Sequence, residues 1–249
     1  MDSIDQAVEL LAPVNKLVVT TGAGMSKESG IPTFRDAPSA LWANYNPEEL
    51  ATPEGFRRNP PLVWKWYVER RDMIGQAKPH PGHFAVAELE PMYDDFLLLT
   101  QNIDNLHRTA GSKNIVEVHG NIFRYKCFDK HHPVPAGELP VSSEVPPRCH
   151  CGSMIRPDVV WFGEMLDQDD LDRAFAGLSS CEAILVVGTS GLVYPAAGFP
   201  HAAKSMGAAV VEVNPEKTPI TDLADVFVES QAGEALPLLV ERLREARKR

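Results

Sequence analysis

Residues 16–34 read KLVVTTGAGMSKESGIPTF, and the first half of this stretch decides the fold. The run LVVTT at 17–21 is apolar and β-branched, without the polar alternation of a half-exposed strand, so it reads as a parallel strand buried on both faces. At Gly22 the chain turns to glycine, alanine and small hydroxyl residues. A strand ending in Gly22, Ala23 and Gly24 lets bare backbone approach whatever lies at its carboxyl end, because glycine has no Cβ and tolerates φ > 0. Open α/β sheets bind ligands at that end, most often a phosphate. The generic patterns do not fit: G-x-G-x-x-G needs glycine where Lys27 stands, no acidic residue follows at the end of a second strand, and a Walker loop needs a G-K-[ST] ending. A tight strand-to-helix corner therefore stays open beside a phosphate-binding turn. Ser26, Glu28 and Arg35, crowded behind the glycines, favour the latter, since polar groups are costly to bury without partners.

The rest of the chain supplies more buried strands with polar ends. FLLLT at 96–100 runs into Gln101, Asn102, Ile103 and Asp104; the segment 115–118 runs into His119; ILVVG at 184–188 into Thr189 and Ser190; AVVEV at 209–213 into Asn214. Amphipathic or proline-started helices are expected at 3–11, 62–74, 81–90, 169–178 and 234–244, and Trp64, Trp66 and Tyr67 in the second of these read as core. Parallel strands whose carboxyl ends carry such residues imply a shared crevice. Two stretches break the rhythm: 37–61, rich in proline and turn residues, and the region after His119, with Cys127, His131, His132, a proline-rich loop, Cys149 and Cys151.

At 249 residues and 44% hydrophobic content the chain can bury a full α/β core with a smaller insertion. A net charge of -10 argues against a nucleic-acid surface. There is no apolar run of membrane-spanning length, and Met1 is followed by polar and acidic residues rather than a signal-like start, so a cytoplasmic protein without membrane or nucleic-acid partners is expected. Four cysteines do not make a secreted disulfide scaffold.

Taken together, GAGMSKESGIPTFRD at 22–36, TQNIDNLHRTAG at 100–111, VHGN at 118–121, RPDVVWFGE at 156–164, GTSGLVYPAAGFP at 188–200 and Asn214 resemble the sirtuins, the NAD-dependent protein lysine deacylases. The resemblance implies a Rossmann-like parallel sheet domain (1–35, 76–120 and 158–249) with a smaller inserted module, helical at 36–75 and zinc-ribbon-like but degenerate at 121–157. It implies a monomeric enzyme that binds NAD in the crevice and acts on acylated lysine side chains of proteins or peptides, releasing nicotinamide and O-acyl-ADP-ribose. By matching motif, Gly22, Ala23, Gly24, Ser26, Glu28, Phe34, Arg35, Gln101, Asn102, Ile103, Asp104, Gly188, Thr189, Ser190, Asn214 and Ala232 surround the cofactor. His119, with Asn102 and Asp104, carries the chemistry; a histidine in such a crevice suits a proton acceptor because its ordinary pKa lies near neutrality. Val159, Val160, Trp161 and Phe162 resemble the edge that pairs with substrate backbone. Ala51, Tyr67 and Arg70 match the class III subgroup that accepts succinyl, malonyl and glutaryl lysine, where alanine widens the acyl pocket and the tyrosine and arginine bind the distal carboxylate.

The chain departs from the family in its cysteines. The usual two C-x2-C pairs are reduced to Cys127, with Lys130 where its partner would stand, and Cys149-His150-Cys151. Zinc wants four tetrahedral ligands. Either His131, His132 or His150 completes a Cys3His site, or the module holds no metal and rests on proline-rich packing. Two other functions also stay open: NAD hydrolysis or ADP-ribosyl transfer, and a silent NAD or ADP-ribose binding module.

Overall fold

The computed structural model describes residues 2–32, 47–135, 137 and 145–248. Phe34 and Arg35 lie outside the described residues. The chain runs α1 (Ser3–Leu11), β1 (Lys16–Thr21), α2 (Gly24–Lys27), α3 (Pro47–Leu50), α4 (Pro53–Arg58), α5 (Pro60–Ile74), α6 (Pro81–Leu89), β2 (Asp95–Thr100), α7 (Leu106–Ala110), β3 (Ile115–Glu117), β4 (Gly120–Cys127), β5 (Pro133–Val134), β6 (Ile155–Val159), α8 (Gln168–Ser180), β7 (Ala183–Val187), α9 (Phe199–Ser205), β8 (Ala209–Asn214), β9 (Val226–Glu229) and α10 (Ala232–Ala246).

Six strands form one sheet in the order β3-β2-β1-β7-β8-β9, every pair parallel. Both faces are covered, which is why these strands read as continuous apolar runs. Leu17, Val19, Leu98, Leu185 and Val211 pack toward α1, α6 and α10, while Val18, Leu97, Leu99, Ile184 and Val186 pack toward α8 and α9. Each such side chain contributes roughly 1.5–3 kcal/mol by leaving water. Successive strands proceed in opposite directions from β1 and from β7, so the topological switch lies between those two, at Gly22 and Gly188.

A smaller antiparallel sheet, β5-β4-β6, is inserted between β3 and α8. The seams expected at 120/121 and 157/158 fall inside β4 and β6, because β6 continues its pairing with β4 as far as Val159 opposite Gly120. α5 joins this sheet to the helical insertion with two of its faces. Trp66, Tyr67 and Ile74 enter a core with Phe56, Ile122, Phe128 and Trp161, and Trp64 enters a second one with Tyr125, Cys127, Cys149 and Ile155. The Pro residues at the starts of α4 and α5 sit where helix N–H groups lack intrahelical partners, and Thr52 and Asn59 cap those helices.

Candidate active site

At the switch point the glycines serve first to let two backbones meet. The Gly22 N–H donates to the Val187 carbonyl at 3.0 Å and the Gly24 N–H to the Gly188 carbonyl at 2.8 Å. A Cβ on Gly24 would stand 2.7 Å from that carbonyl oxygen, and one on Gly188, whose φ is +58°, would stand 2.4 Å from the Met25 nitrogen. The close backbone approach therefore requires glycine at Gly24 and Gly188 whatever the turn binds, and it sets the floor of the crevice. Ala23 lies between the two glycines at the start of α2.

Above that floor the carboxyl ends of β1 and β2 are tied by a buried polar knot. The Asn102 amide donates to the Gly22 carbonyl and to Ser26 Oγ, both at 2.9 Å, and Ser26 Oγ donates to Asp104 Oδ2 at 2.6 Å. Asp104 Oδ1 accepts the Leu106 N–H at 2.9 Å and so starts α7. Burial raises the Asp104 pKa above its ordinary value, with the Ser26 and Leu106 bonds opposing that shift. Gln101 reaches the far side, its amide donating to Thr189 Oγ1 at 3.1 Å, and the Asn214 amide donates to the Thr189 carbonyl at 2.8 Å. Ser190 is half-buried just beyond Thr189. Ile103 is half-buried, and its carbonyl accepts the Ile122 N–H at 3.0 Å, joining the crevice to β4. These side chains are hydroxyls, amides and one carboxyl, the donor set suited to ribose hydroxyls and a carboxamide, so the crevice fits a nicotinamide dinucleotide.

Glu28 and Ala232 lie at one flank. Ala232 is the first residue of α10, and the Glu28 carboxylate accepts the Gly233 N–H at 2.9 Å, placing a negative charge at that helix's positive end. Among the described residues Glu28 is a helix-terminus partner within this chain.

His119 follows β3. Its Nδ1 lies 3.1 Å from the Gln101 carbonyl. A carbonyl only accepts, so Nδ1 carries the proton and Nε2 keeps its lone pair. Burial lowers the His119 pKa, against the pull of that hydrogen bond, so the ring is neutral at pH 7 and Nε2 is a base.

The opposite wall comes from the helical insertion and the chain after β6. The Phe162 N–H donates to the Ala51 carbonyl and the Val160 N–H to the His119 carbonyl, both at 2.9 Å; the Trp161 N–H donates to Glu164 Oε2 at 2.8 Å. The donors of this edge are therefore engaged within the chain, and an added strand would meet carbonyl acceptors, those of Val160 and Phe162 having no partner among the described residues. The Phe162 side chain is exposed, whereas Val159, Trp161, Ala51 and Tyr67 are buried. Trp161 Nε1–H donates to the Tyr67 hydroxyl at 2.8 Å, and burial pushes the Tyr67 pKa up to about 12. Arg70, one turn further along α5, is only 7% exposed, stacks at 5.1 Å over the Trp66 ring, and has its pKa lowered by burial while Tyr67 and Asp104 oppose the shift.

Beneath this wall lies a pair that sequence reasoning passed over. Arg156, fully buried, grips Glu164 through Nη1 to Oε1 at 2.5 Å and Nη2 to Oε2 at 2.9 Å, with its guanidinium 3.3 Å from the Trp161 ring centroid. Burial works to raise the Glu164 pKa, but the Arg156 bonds hold it below the ordinary value. Both residues stand in the RPDVVWFGE motif, but their spacing alone does not relate them.

Cys127, His132, Cys149 and Cys151 bring their ligand atoms within 4.8 Å of one another. Cys127 and Cys151 sulfurs are 3.5 Å apart, and His132 Nε2 is 3.1 Å from Cys149 Sγ. Of the three candidate histidines it is His132 that joins this group, while His150 Nδ1 lies 3.5 Å from Cys149 Sγ. A turn closed by the Gly152 N–H to the Cys149 carbonyl at 2.8 Å, with Gly152 at φ +87°, brings two cysteines separated by one residue to the same side. Burial opposes ionisation of Cys127, but the Lys130 N–H, 3.4 Å from its sulfur, helps pull its pKa below the ordinary thiol value. Three thiols and one imidazole so close together make a ligand set on the antiparallel sheet that could hold a metal ion.

Comparison with known proteins agrees with this architecture. The model of the Sir2 family matches residues 22–195. An NAD-dependent protein deacylase 2 of Pyrobaculum aerophilum is 53% identical over 237 residues, 95% of this chain and 94% of that protein. The crystal structure of a Sir2 homologue in complex with NAD superimposes with a TM-score of 0.91 at 43% identity, covering 99% of this chain and 95% of the other. A Sir2 protein bound to a myristoylated histone peptide superimposes with a TM-score of 0.79 at 38% identity, covering 99% and 98%. With the family model spanning the crevice from the glycine turn to the loop after β7, and relatives of about half identity along nearly the whole chain, this protein belongs to the Sir2 family.

Proposed function

We propose that this protein removes acyl groups from lysine side chains of proteins or peptides in an NAD-dependent reaction, whose products are the free lysine, nicotinamide and O-acyl-ADP-ribose, with one water consumed. The observation that carries the reading is the neutral His119, protonated at Nδ1 by its bond to the Gln101 carbonyl, standing at the carboxyl edge beside the Asn102, Ser26 and Asp104 knot. When bound, NAD supplies an anomeric carbon from which nicotinamide leaves. The Gly22–Gly24 turn and Asn214 would hold the dinucleotide, and Gln101, Asn102 and Asp104 would orient its reacting end. His119 Nε2 accepts a proton from a ribose hydroxyl, which makes that oxygen a nucleophile toward the acyl carbon. The exposed Phe162 and the Val160 and Phe162 carbonyls receive an extended peptide, whose N–H groups they can accept.

The finer reading is a preference for acyl groups that end in a carboxylate. It is supported by Arg70 and Tyr67 on one face of α5: a buried guanidinium can hold a carboxylate through two charge-assisted bonds. The Tyr67 hydroxyl, having accepted from Trp161, still has its hydrogen to give. The metal fitting the Cys127, His132, Cys149 and Cys151 set is zinc, in a ribbon-like structural role away from the chemistry.

The test is one reaction: purified protein, NAD and a peptide carrying acetyl or succinyl lysine, read by mass. Loss of the acyl mass from the peptide with formation of O-acyl-ADP-ribose is expected. NAD breakdown with the peptide unchanged would point instead to a hydrolase, and no turnover of NAD at all to a silent binding module.

A further inference from the structure

Three histidines lie in the core behind the crevice, and the chemistry above uses none of them. His80 caps α6: its Nδ1 accepts the Gly82 N–H at 3.0 Å, and its Nε2, 2.6 Å from the Met25 carbonyl, carries the proton. His83, wholly buried, accepts the His80 N–H on Nδ1 at 3.4 Å, which puts its own proton on Nε2. His107 on α7, 2% exposed, has Nε2 at 3.0 Å from Thr21 Oγ1. Since the Thr21 hydroxyl donates to Thr100 Oγ1 at 2.8 Å, it accepts from the ring, and His107 also carries its proton on Nε2. Thr100 Oγ1 accepts the Asn102 N–H at 3.1 Å, and the Thr21 carbonyl accepts the Gln101 N–H at 2.9 Å.

The valences left over are complementary. His83 Nε2–H is a buried donor and His107 Nδ1 a buried acceptor, each without a hydrogen-bond partner among the described residues, on rings whose centroids are 4.9 Å apart. Burial pulls His83 down to about 2 and His107 down to about 3, so both rings stay neutral. The hydrogen-bonded chain thus runs from His107 through two hydroxyls to the main chain of Asn102, with Thr100 Oγ1 accepting from both the Thr21 hydroxyl and the Asn102 N–H, while the His83 ring lies against His107 without bonding to it. The Asn102 end matters because β2 stops at Thr100, and at Asn102 the Thr100 hydroxyl does the work of a ladder carbonyl.

We propose that His107 is a positioning residue for the deacylation reaction: through the Thr21 and Thr100 hydroxyls it holds the main chain from which Gln101 and Asn102 enter the crevice. The inference rests on the deacylase reading above. An apolar residue of similar size would fill the space but leave the Thr21 hydroxyl without its donor; glutamine would place an N–H where the imidazole Nε2–H stands.

The experiment compares His107→Leu, His107→Gln and Thr21→Val in full-length protein. At saturating NAD and peptide, kcat of H107L should fall at least about tenfold per folded molecule, and H107Q should recover to within about threefold of wild type. Hydrogen exchange of the Asn102 amide, followed by NMR, reports the same bond without turnover and should be faster in H107L and T21V but near wild type in H107Q. If H107L does not fold, T21V carries the same expectations for kcat and exchange. A folded H107L with wild-type kcat, an H107Q no better than H107L, or an unchanged Asn102 exchange rate in T21V would overturn the proposal. A wild type that turns over no acylated peptide would instead defeat the deacylase reading, leaving the exchange measurement to decide the positioning.

Discussion

His119 owes its tautomer to a single bond from Nδ1 to the Gln101 carbonyl, and its neutrality to burial. Replacing it with alanine removes the base without touching the glycine turn or the Asn102 knot. His119→Ala should therefore abolish measurable deacylation while NAD binding by calorimetry stays within about threefold of wild type. Near-normal turnover in that variant would remove the general-base assignment. Arg70 differs, because its contribution depends on the acyl group: Arg70→Met keeps an unbranched chain of similar reach but removes the charge. On one peptide carrying either group, kcat/KM for succinyl lysine should fall at least about tenfold, or roughly 1.4 kcal/mol, with acetyl lysine affected much less. Equal losses would assign Arg70 to support of the crevice, where it opposes the upward shift of Asp104. Both side chains were legible as candidates from motifs alone. The Arg156 and Glu164 pair was not, since nothing in the spacing says that the strand doubles back to bring a carboxylate under a fully buried guanidinium.

At the scale of elements, the turn after β4 and the one around Gly152 determine whether four ligand atoms converge. Cys127 ends β4, His132 precedes β5, and Cys149 and Cys151 lie in the turn before β6, so a metal would clamp all three strands of the small sheet. Elemental analysis of protein prepared with zinc supplied should find close to one zinc per chain, and stripping it should lower Tm, since ligation and folding are coupled. His132→Ala should reduce zinc retention and His150→Ala should leave it unchanged; less than a tenth of an equivalent in the wild type would rule the site out. The cysteines were visible in the sequence, but three histidines competed for the fourth place. Local turn geometry chose among them.

For the whole molecule, the buried histidines make stability depend on pH. His83 and His107 have folded-state values of about 2 and about 3, depressed by burial below the ordinary 6.5, so between those limits the unfolded chain binds more protons than the folded one. Stability is then full above about pH 6.5 and is lost as pH falls toward the folded values, at roughly 2 kcal/mol per histidine by pH 5. Urea unfolding at pH 7.5 and pH 5 should show this loss in the wild type and a smaller one in His107→Gln; equal losses in both would show that other groups dominate the acid limb. The sequence by itself determined the order of the elements, the double-sided burial of the parallel strands and the crevice at their carboxyl ends, because hydrophobic periodicity and glycine turns are local properties. Tertiary structure decided what each polar group does there. It engaged Glu28 with the start of α10, bound the backbone donors of Val160, Trp161 and Phe162 within the chain, chose His132, and linked His107 to Asn102 through two threonine hydroxyls. Each of these depends on a partner distant in the chain, or on a turn that packing fixes, and hydrogen bonds form only where the fold brings donor and acceptor to about 3 Å.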